Sequence, residues 1–369
     1  MDRIQITPRE NWQKIVESQG LYYHTLDLTP YWDESVYYHF TEKEVDEIEE
    51  CTYWLNKICL EAVDYIIENN LFEKLDVPVD HIDWVKKSWD KDEHTIYGRF
   101  DLRYDGDTPK LLEYNADTPT GLLEAAVVQW HWMKETQEFY NQYNSIHEKL
   151  LDIFKILKDK WEGRFYFTAL KDNLEDFMTV NYLRDVAIQT GWSTEYIHIE
   201  DIGHDNSRNR FVDLKSRTIR NCFKLYPWEW MFEDEFGKNL LTNEVNWMEP
   251  PWKTLLSNKG LLAVLYELYP DSPYLLKASF DPLKEKHIKK PLHGREGANM
   301  EVSDSDVKTE GPYTGPFVYQ EYKELPKFDR NYPVIGSWMV NGFACGIGVR
   351  EDVNPITQNT SRFVPHVFS

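Results

Sequence analysis

"RFDLRYDGDTPKLLEYNAD", residues 99–117, decides how the rest of the chain is read. Successive side chains of a strand point to opposite faces. In the first run Arg99, Asp101 and Arg103 therefore share one face, and Phe100, Leu102 and Tyr104 share the other. Asp105-Gly106-Asp107-Thr108-Pro109 is a string of turn formers. In the second run Leu111, Glu113 and Asn115 alternate with Leu112 and Tyr114. A hairpin folded about Asp107 sets Asp101 opposite Glu113 and Arg99 opposite Asn115. Like charges directly across a strand pair are destabilising, so something positive belongs between the two carboxylates. Arg99 and Arg103 are candidates. A divalent cation is another, because Asp, Glu and Asn oxygens are hard ligands suited to Mg²⁺. A solvated hairpin face accounts for the same residues, since surface strands often carry charge.

The 369 residues are enough for a large core and two or three subdomains. Aromatic residues are abundant, with 14 Trp, 23 Tyr and 18 Phe, which suits both a core and ligand clefts. The net charge of -22 argues against a nucleic-acid partner, which calls for a basic face. The same acidity suits a cationic or metal-bridged ligand, or solubility alone. Cys51, Cys59, Cys222 and Cys345 form no CxxC pair and fit no zinc spacing. "MDRIQITPRENWQ" has no apolar run of a signal peptide, and no 18-residue apolar stretch exists, so no membrane span is expected. A reducing cytoplasm is the expected home.

Residues 41–76 read as one helix or two. Thr41 and Glu44 form a capping box, and Val45, Ile48, Leu55, Ile58, Cys59, Ala62 and Ile66 form an apolar stripe. Residues 120–157 read as a long helical region, with His131 and His147 structural or on the surface. Then "RFYFTAL", "NLEDFMTVNYLRDVAIQTG" and "STEYIHIEDI" give strand, helix, strand, the pattern of an α/β unit with a parallel pair. "DNSRNRFVDLKS" reads as a polar loop with an edge strand. From Pro250-Pro251 onward a helix, "NKGLLAVLYELYP", precedes strand-rich sequence.

A second cluster of chemistry lies in this last part. In "IKKPLHGREGAN", Gly294 and Gly297 let backbone N–H groups come close to a phosphate, with Lys290 beside them. It is not a Walker A loop, and a plain turn with a lysine reads as well. Lys259 stands at the start of a helix, where a phosphate gains from both the ammonium and the helix end. "GPFVYQEYKEL" is a strand with Gln320 and Glu321. "GFACGIGVRED" is a glycine-interrupted strand reaching Arg350, as where a ligand or another backbone comes close, or where a sheet bends.

Taken in order, "RFDLRYDG…LLEYNADTPT", "EPPWKTLLSNKGLL", "KKPLHGREGAN", "VYQEY" and "GIGVRED" resemble the synthetase domain of glutathionylspermidine synthetases and related acid–amine ligases, from about residue 20 to the end. The resemblance implies an α+β, ATP-grasp fold with a pre-ATP-grasp-like α/β subdomain. It divides one catalytic unit, 1–369, into helices and a metal-binding hairpin (about 1–160), an α/β substrate-side subdomain (161–250) and a nucleotide-binding lobe (251–369). By the same resemblance Asp101, Glu113 and Asn115 match magnesium ligands, and Arg99 matches an arginine that stabilises the transferring phosphoryl group. Lys259 and Lys290 match lysines on the ATP phosphates, and Gly297 lies in the loop over them. Tyr319, Gln320 and Glu321 match the adenine-pocket segment, and Arg350 matches a second phosphate-side arginine. Thr118, Glu175 and Asp176 fall where the family contacts glutathione.

The implied activity is ATP- and Mg²⁺-dependent joining of a small-molecule carboxylate to an amine through an acyl phosphate. A glutathione-like or peptide-like acid and a polyamine-like amine are the implied pair. "KLYPWEWMFED" differs in its polar residues from the true synthetases. Three other readings stand beside this one: a glycoside hydrolase using the paired carboxylates, a non-catalytic nucleotide or peptide sensor, and a phosphotransferase that stops short of the amide.

Overall fold

The computed structural model describes every residue except Asp27 and Asn243. The first helix of consequence runs Glu42–Glu68. Thr41 and Glu44 close a capping box at its start, and the stripe read from the sequence is its buried face. That face packs on a five-stranded antiparallel sheet with strand order Arg362–Val364, Phe343–Asp352, Tyr332–Val340, Tyr97–Arg103, Lys110–Asn115. Phe100, Leu102, Tyr104, Ile335, Ile347 and Val349 form the apolar side of this sheet, in one core with the helix. Hydrophobic burial thus fixes which side of the hairpin faces outward into the cleft.

The hairpin register is the one expected, with Asp101 paired to Glu113 and Arg99 to Asn115. One detail differs. Leu102 pairs with Leu111, so Leu112 is an extra residue in the second strand. This bulge breaks the period of two. Leu111 turns into the core with Leu102, instead of sharing the face of Glu113, and Leu112 lines the cleft beside Glu113.

The middle of the chain forms a four-stranded parallel sheet, ordered Asn246–Met248, Asn221–Leu225, Phe165–Ala169, Thr194–His198. The helix Leu174–Gln189 connects its 165–169 and 194–198 strands, as the sequence pattern required. The polar excursion is a two-stranded ribbon, Gly203–Asp205 with Arg210–Val212. A second antiparallel sheet, ordered Ala278–Ser279, Phe317–Glu321, His287–Pro291, Glu301–Val302, lies against the helix Leu261–Leu268.

The long helix expected over 120–157 is instead three pieces. Glu124–Val128 is a π-turn, Gln129–Thr136 continues it as α-helix, and Ile146–Lys160 is separate. Between them Asn141 bridges to Phe368, and Asn144 to Gly346. Pairing with distant strands has overridden local helix propensity there. All four cysteines are buried and free. Among the described residues no helix is long and apolar enough to cross a membrane.

Candidate active site

The polar face of the hairpin, the carboxyl ends of the parallel strands and the smaller antiparallel sheet enclose a cleft of about 250 Å³. Twelve of the fourteen site residues singled out from the sequence line this cleft; Lys259 and Tyr319 do not. Arg99 donates from Nε to Asp101 Oδ1 at 2.6 Å, from Nη2 to Oδ2 at 3.0 Å, and from Nη1 to the Thr120 carbonyl at 2.6 Å. Asn115 Nδ2 lies 3.1 Å from Asp101 Oδ2 and 3.0 Å from Glu113 Oε1. Two carboxylate oxygens thus converge on one atom. Rotating the amide would exchange its nitrogen for its oxygen and give three oxygen donors on that side, a hard-ligand set. Among the described residues no three His, Cys, Asp or Glu side chains gather, at this site or elsewhere. Two carboxylates and an amide fit Mg²⁺, which takes few protein ligands and fills the rest with phosphate and water.

Lys259 lies just ahead of the 261–268 helix, behind Glu113, with Nζ 3.0 Å from Glu113 Oε2 and 2.5 Å from the Gly294 carbonyl. Lys290 is 4% exposed. Its Nζ donates to the Leu112 carbonyl at 2.9 Å and to Gln320 Oε1 at 2.8 Å. Gln320 in turn donates to the Leu111 carbonyl at 2.9 Å. The hairpin bulge is therefore gripped from the second sheet. Burial pushes the Glu113 carboxyl up, but Lys259 and Lys290 outweigh it and hold the group at about 2. Burial also lowers the Lys290 ammonium to about 8, against the pull of Glu113. Asp101 is raised by burial despite Arg99.

On the opposite side, Arg350 donates from Nη2 to the carbonyls of Gln358, Asn359 and Ser361 at 2.7, 3.0 and 3.1 Å. Among the described residues its Nε is buried without a hydrogen-bond partner. Gly297 has φ +68° and passes so close to Thr357 that a Cβ would stand 2.4 Å from that carbonyl. The glycine is required by this loop-to-loop contact as well as by its dihedral. Glu321 lines the cleft with Gln320, but Tyr319 does not. Its ring packs edge-on against His287, 5.5 Å away, on the face opposite Gln320, while Glu321, at the strand's end, still reaches the cleft.

Thr118, Glu175 and Asp176 line the remaining wall. Glu175 and Asp176 occupy the first turn of the 174–189 helix, which Asn173 caps by accepting from Asp176 N at 3.0 Å. Burial, then Glu175, pushes the Asp176 carboxyl up to about 7. Burial and Glu175 likewise raise Glu296, a further carboxyl on this wall.

The sequence reading missed Arg295. It donates to Thr118 Oγ1 and to Glu229 Oε1, each at 2.7 Å, and its guanidinium lies 5.6 Å from the Trp230 ring. The available signal was its place between Gly294 and Gly297, in a loop already suspected of meeting a ligand. It also missed Asp117, whose pair with Lys224 at 2.6 Å is wholly buried behind the cleft.

Residues 3–369 match the family described as glutathionylspermidine synthase preATP-grasp. A Haemophilus influenzae protein named "Putative acid--amine ligase" is 42% identical over 95% of this chain and 94% of its own length. Trypanothione synthetase of Crithidia fasciculata is 27% identical over 76% of this chain, and the bifunctional glutathionylspermidine synthetase/amidase of Escherichia coli is 25% identical over 89%. The chain spans 48% and 58% of the lengths of these two.

Proposed function

The chain belongs to the glutathionylspermidine synthase family, a family of ligases with an ATP-grasp fold, and on that premise we propose that it is an ATP- and Mg²⁺-dependent ligase joining a carboxylate to an amine. One observation carries this reading at the level of the site. Lys290 and Arg350 are cations on the two sides of the cleft, and among the described residues neither has a carboxylate in ion-pair contact. Burying an ammonium against neutral acceptors is costly unless an anion completes the pairing. A polyphosphate supplies that anion. A glycoside hydrolase has no use for such cations.

In this reading Lys259 and Lys290 bind the phosphates of ATP, with Gln320 and Glu321 beside the base. Asp101, Glu113 and Asn115 would hold magnesium, and what the ion supplies when bound is neutralisation of phosphate charge. A substrate carboxylate oxygen attacks the γ-phosphorus, ADP leaves, and an acyl phosphate forms. The amine, having first given up its ammonium proton, attacks the acyl carbon; its nitrogen loses a second proton, and phosphate leaves as the amide forms. Arg99 and Arg350 face the charge that develops at the transferred group, and the chain's share is positioning and electrostatics. Instead of meeting the acid substrate as the resemblance implies, Glu175 and Asp176 form with Glu296 an acidic wall for the amine, which is cationic in water. Asp176, with its carboxyl raised to about 7, is suited to take the proton the amine gives up. Thr118, held by Arg295, faces the acid substrate.

The test is ADP release from Mg-ATP across pairs drawn from glutathione, short peptides, spermidine and putrescine, with products read by mass spectrometry. Pair-dependent ADP release with a new amide mass is expected. Release that needs no amine and yields a stable phosphorylated product would replace the ligase with a phosphotransferase.

A further inference from the structure

Gly336 sits in the middle of the central sheet, in an ordinary strand conformation that any residue adopts. A glycine there weakens a strand without being required by its dihedrals, which points to close approach by another group. It is paired on one side with Asp101 and on the other with Gly348. The rung next to Asp101 is therefore bare of side chains on the cleft face. Across that gap lies Arg99. A Cβ at Gly336 would stand 2.8 Å from Arg99 Cδ and 3.3 Å from both Cγ and Nε. Arg99 cannot swing aside freely, since its guanidinium is fixed by both Asp101 oxygens and the Thr120 carbonyl. It also lies over the Trp338 ring at 5.6 Å. Beside it, Gly336 and Gly348 floor a small cavity of about 30 Å³ that Arg99 and Arg350 share as walls, room for one water-sized group.

We propose that Gly336 is a positioning residue for phosphoryl transfer, acting by letting Arg99 lie flat across the sheet with its guanidinium turned toward Arg350. This rests on the ligase reading above. Any side chain at 336 lifts the Arg99 stem, breaks its fork on Asp101 and moves the charge away from the reacting group. Displacements of about 1 Å in a positioned group cost on the order of 10²-fold in rate.

A double-mutant cycle with Gly336→Ala and Arg99→Ala tests it, read by kcat and KM for ADP release from Mg-ATP and by melting temperature. Gly336→Ala is expected to lower kcat about 10²-fold while KM for ATP changes by less than about threefold. It should lower the melting temperature in the wild-type background only. With Arg99→Ala already in place, there is no stem to displace, so Gly336→Ala should bring no further loss of rate and no fall in melting temperature. Equal melting shifts in the two backgrounds, or an unchanged kcat in Gly336→Ala, would overturn the inference. Wild-type chain that neither binds Mg-ATP nor releases ADP would overturn the ligase reading instead, and the melting cycle would still decide whether Gly336 acts through Arg99.

Discussion

Two buried lysines, Lys224 and Lys290, are chemically identical and serve opposite ends. Lys224 meets Asp117 at 2.6 Å and the Tyr226 carbonyl at 3.0 Å, and lies 4.2 Å over the Trp228 ring. The other Asp117 oxygen accepts from Trp228 N at 3.1 Å. Its charge is answered within the chain, and the pair ties the end of the hairpin to the parallel sheet. Lys290 is as deep, yet its acceptors are a carbonyl and an amide. The nearest opposing charge, Glu113, is in contact with Lys259. A buried cation with its counter-charge supplied is a strut, while one without it is a socket for an anion.

Replacing each lysine should separate the two. The largest effect belongs to Lys224→Met, which leaves the Asp117 carboxylate buried without the ammonium it pairs with. It should cost about 3–5 kcal/mol of stability in urea unfolding. A loss below about 1 kcal/mol would break the contrast. Next come Asp101→Asn and Glu113→Gln, each expected to cut ADP release on the order of 10²–10³-fold with a smaller effect on melting. Wild-type turnover in either would remove the magnesium assignment. Lys290→Met should raise KM for ATP roughly tenfold and cost about 1–2 kcal/mol of stability, less than Lys224→Met, because it strands neutral acceptors and no buried charge. The smallest effect is on pH. The Lys290 ammonium is present below about 8 and lost as pH rises through that value. KM for ATP should therefore be about twofold higher at pH 8 than at pH 6.5 and climb beyond, since half the sites are then neutral. In Lys290→Met that rise should be absent.

Much of this contrast lies beyond what local pattern can carry. The facing of Asp101 and Glu113 was legible because alternation and a strong turn together fix a hairpin register. The 42–68 helix was legible from a cap and a stripe, and the parallel pair from strand, helix, strand. The bulge at Leu112 was not, since an extra residue changes no composition and shows only in the pairing. Nor was the break at 137–145, where contacts with Phe368 and Gly346 decide the path. Tyr319 was placed beside the base by motif alone, although strand alternation with Gln320 already turned it outward. Asp117 and Lys224 drew no reading because nothing local reports that both are buried. Lys259 and Lys290 were singled out for their neighbours in sequence, a helix start and a glycine loop. That no carboxylate among the described residues pairs with Lys290, the feature that marks it most sharply, shows only in three dimensions.

The central sheet joins Tyr97–Arg103 to Tyr332–Val340, with the whole parallel-sheet segment between them in sequence. As the chain leaves the ribosome, the hairpin is made early but its inner neighbour is made almost last. Until then the 97–103 strand is an open edge, carrying Tyr97, Phe100 and Leu102 with unpaired backbone groups. The closure entropy of so long a loop must be met before those pairs form, whereas the 165–225 strands close over short spans. The cleft is thus the last part of the molecule to be finished. Pulse-labelled hydrogen exchange during refolding should find amides of 165–169 and 221–225 protected before those of 332–340.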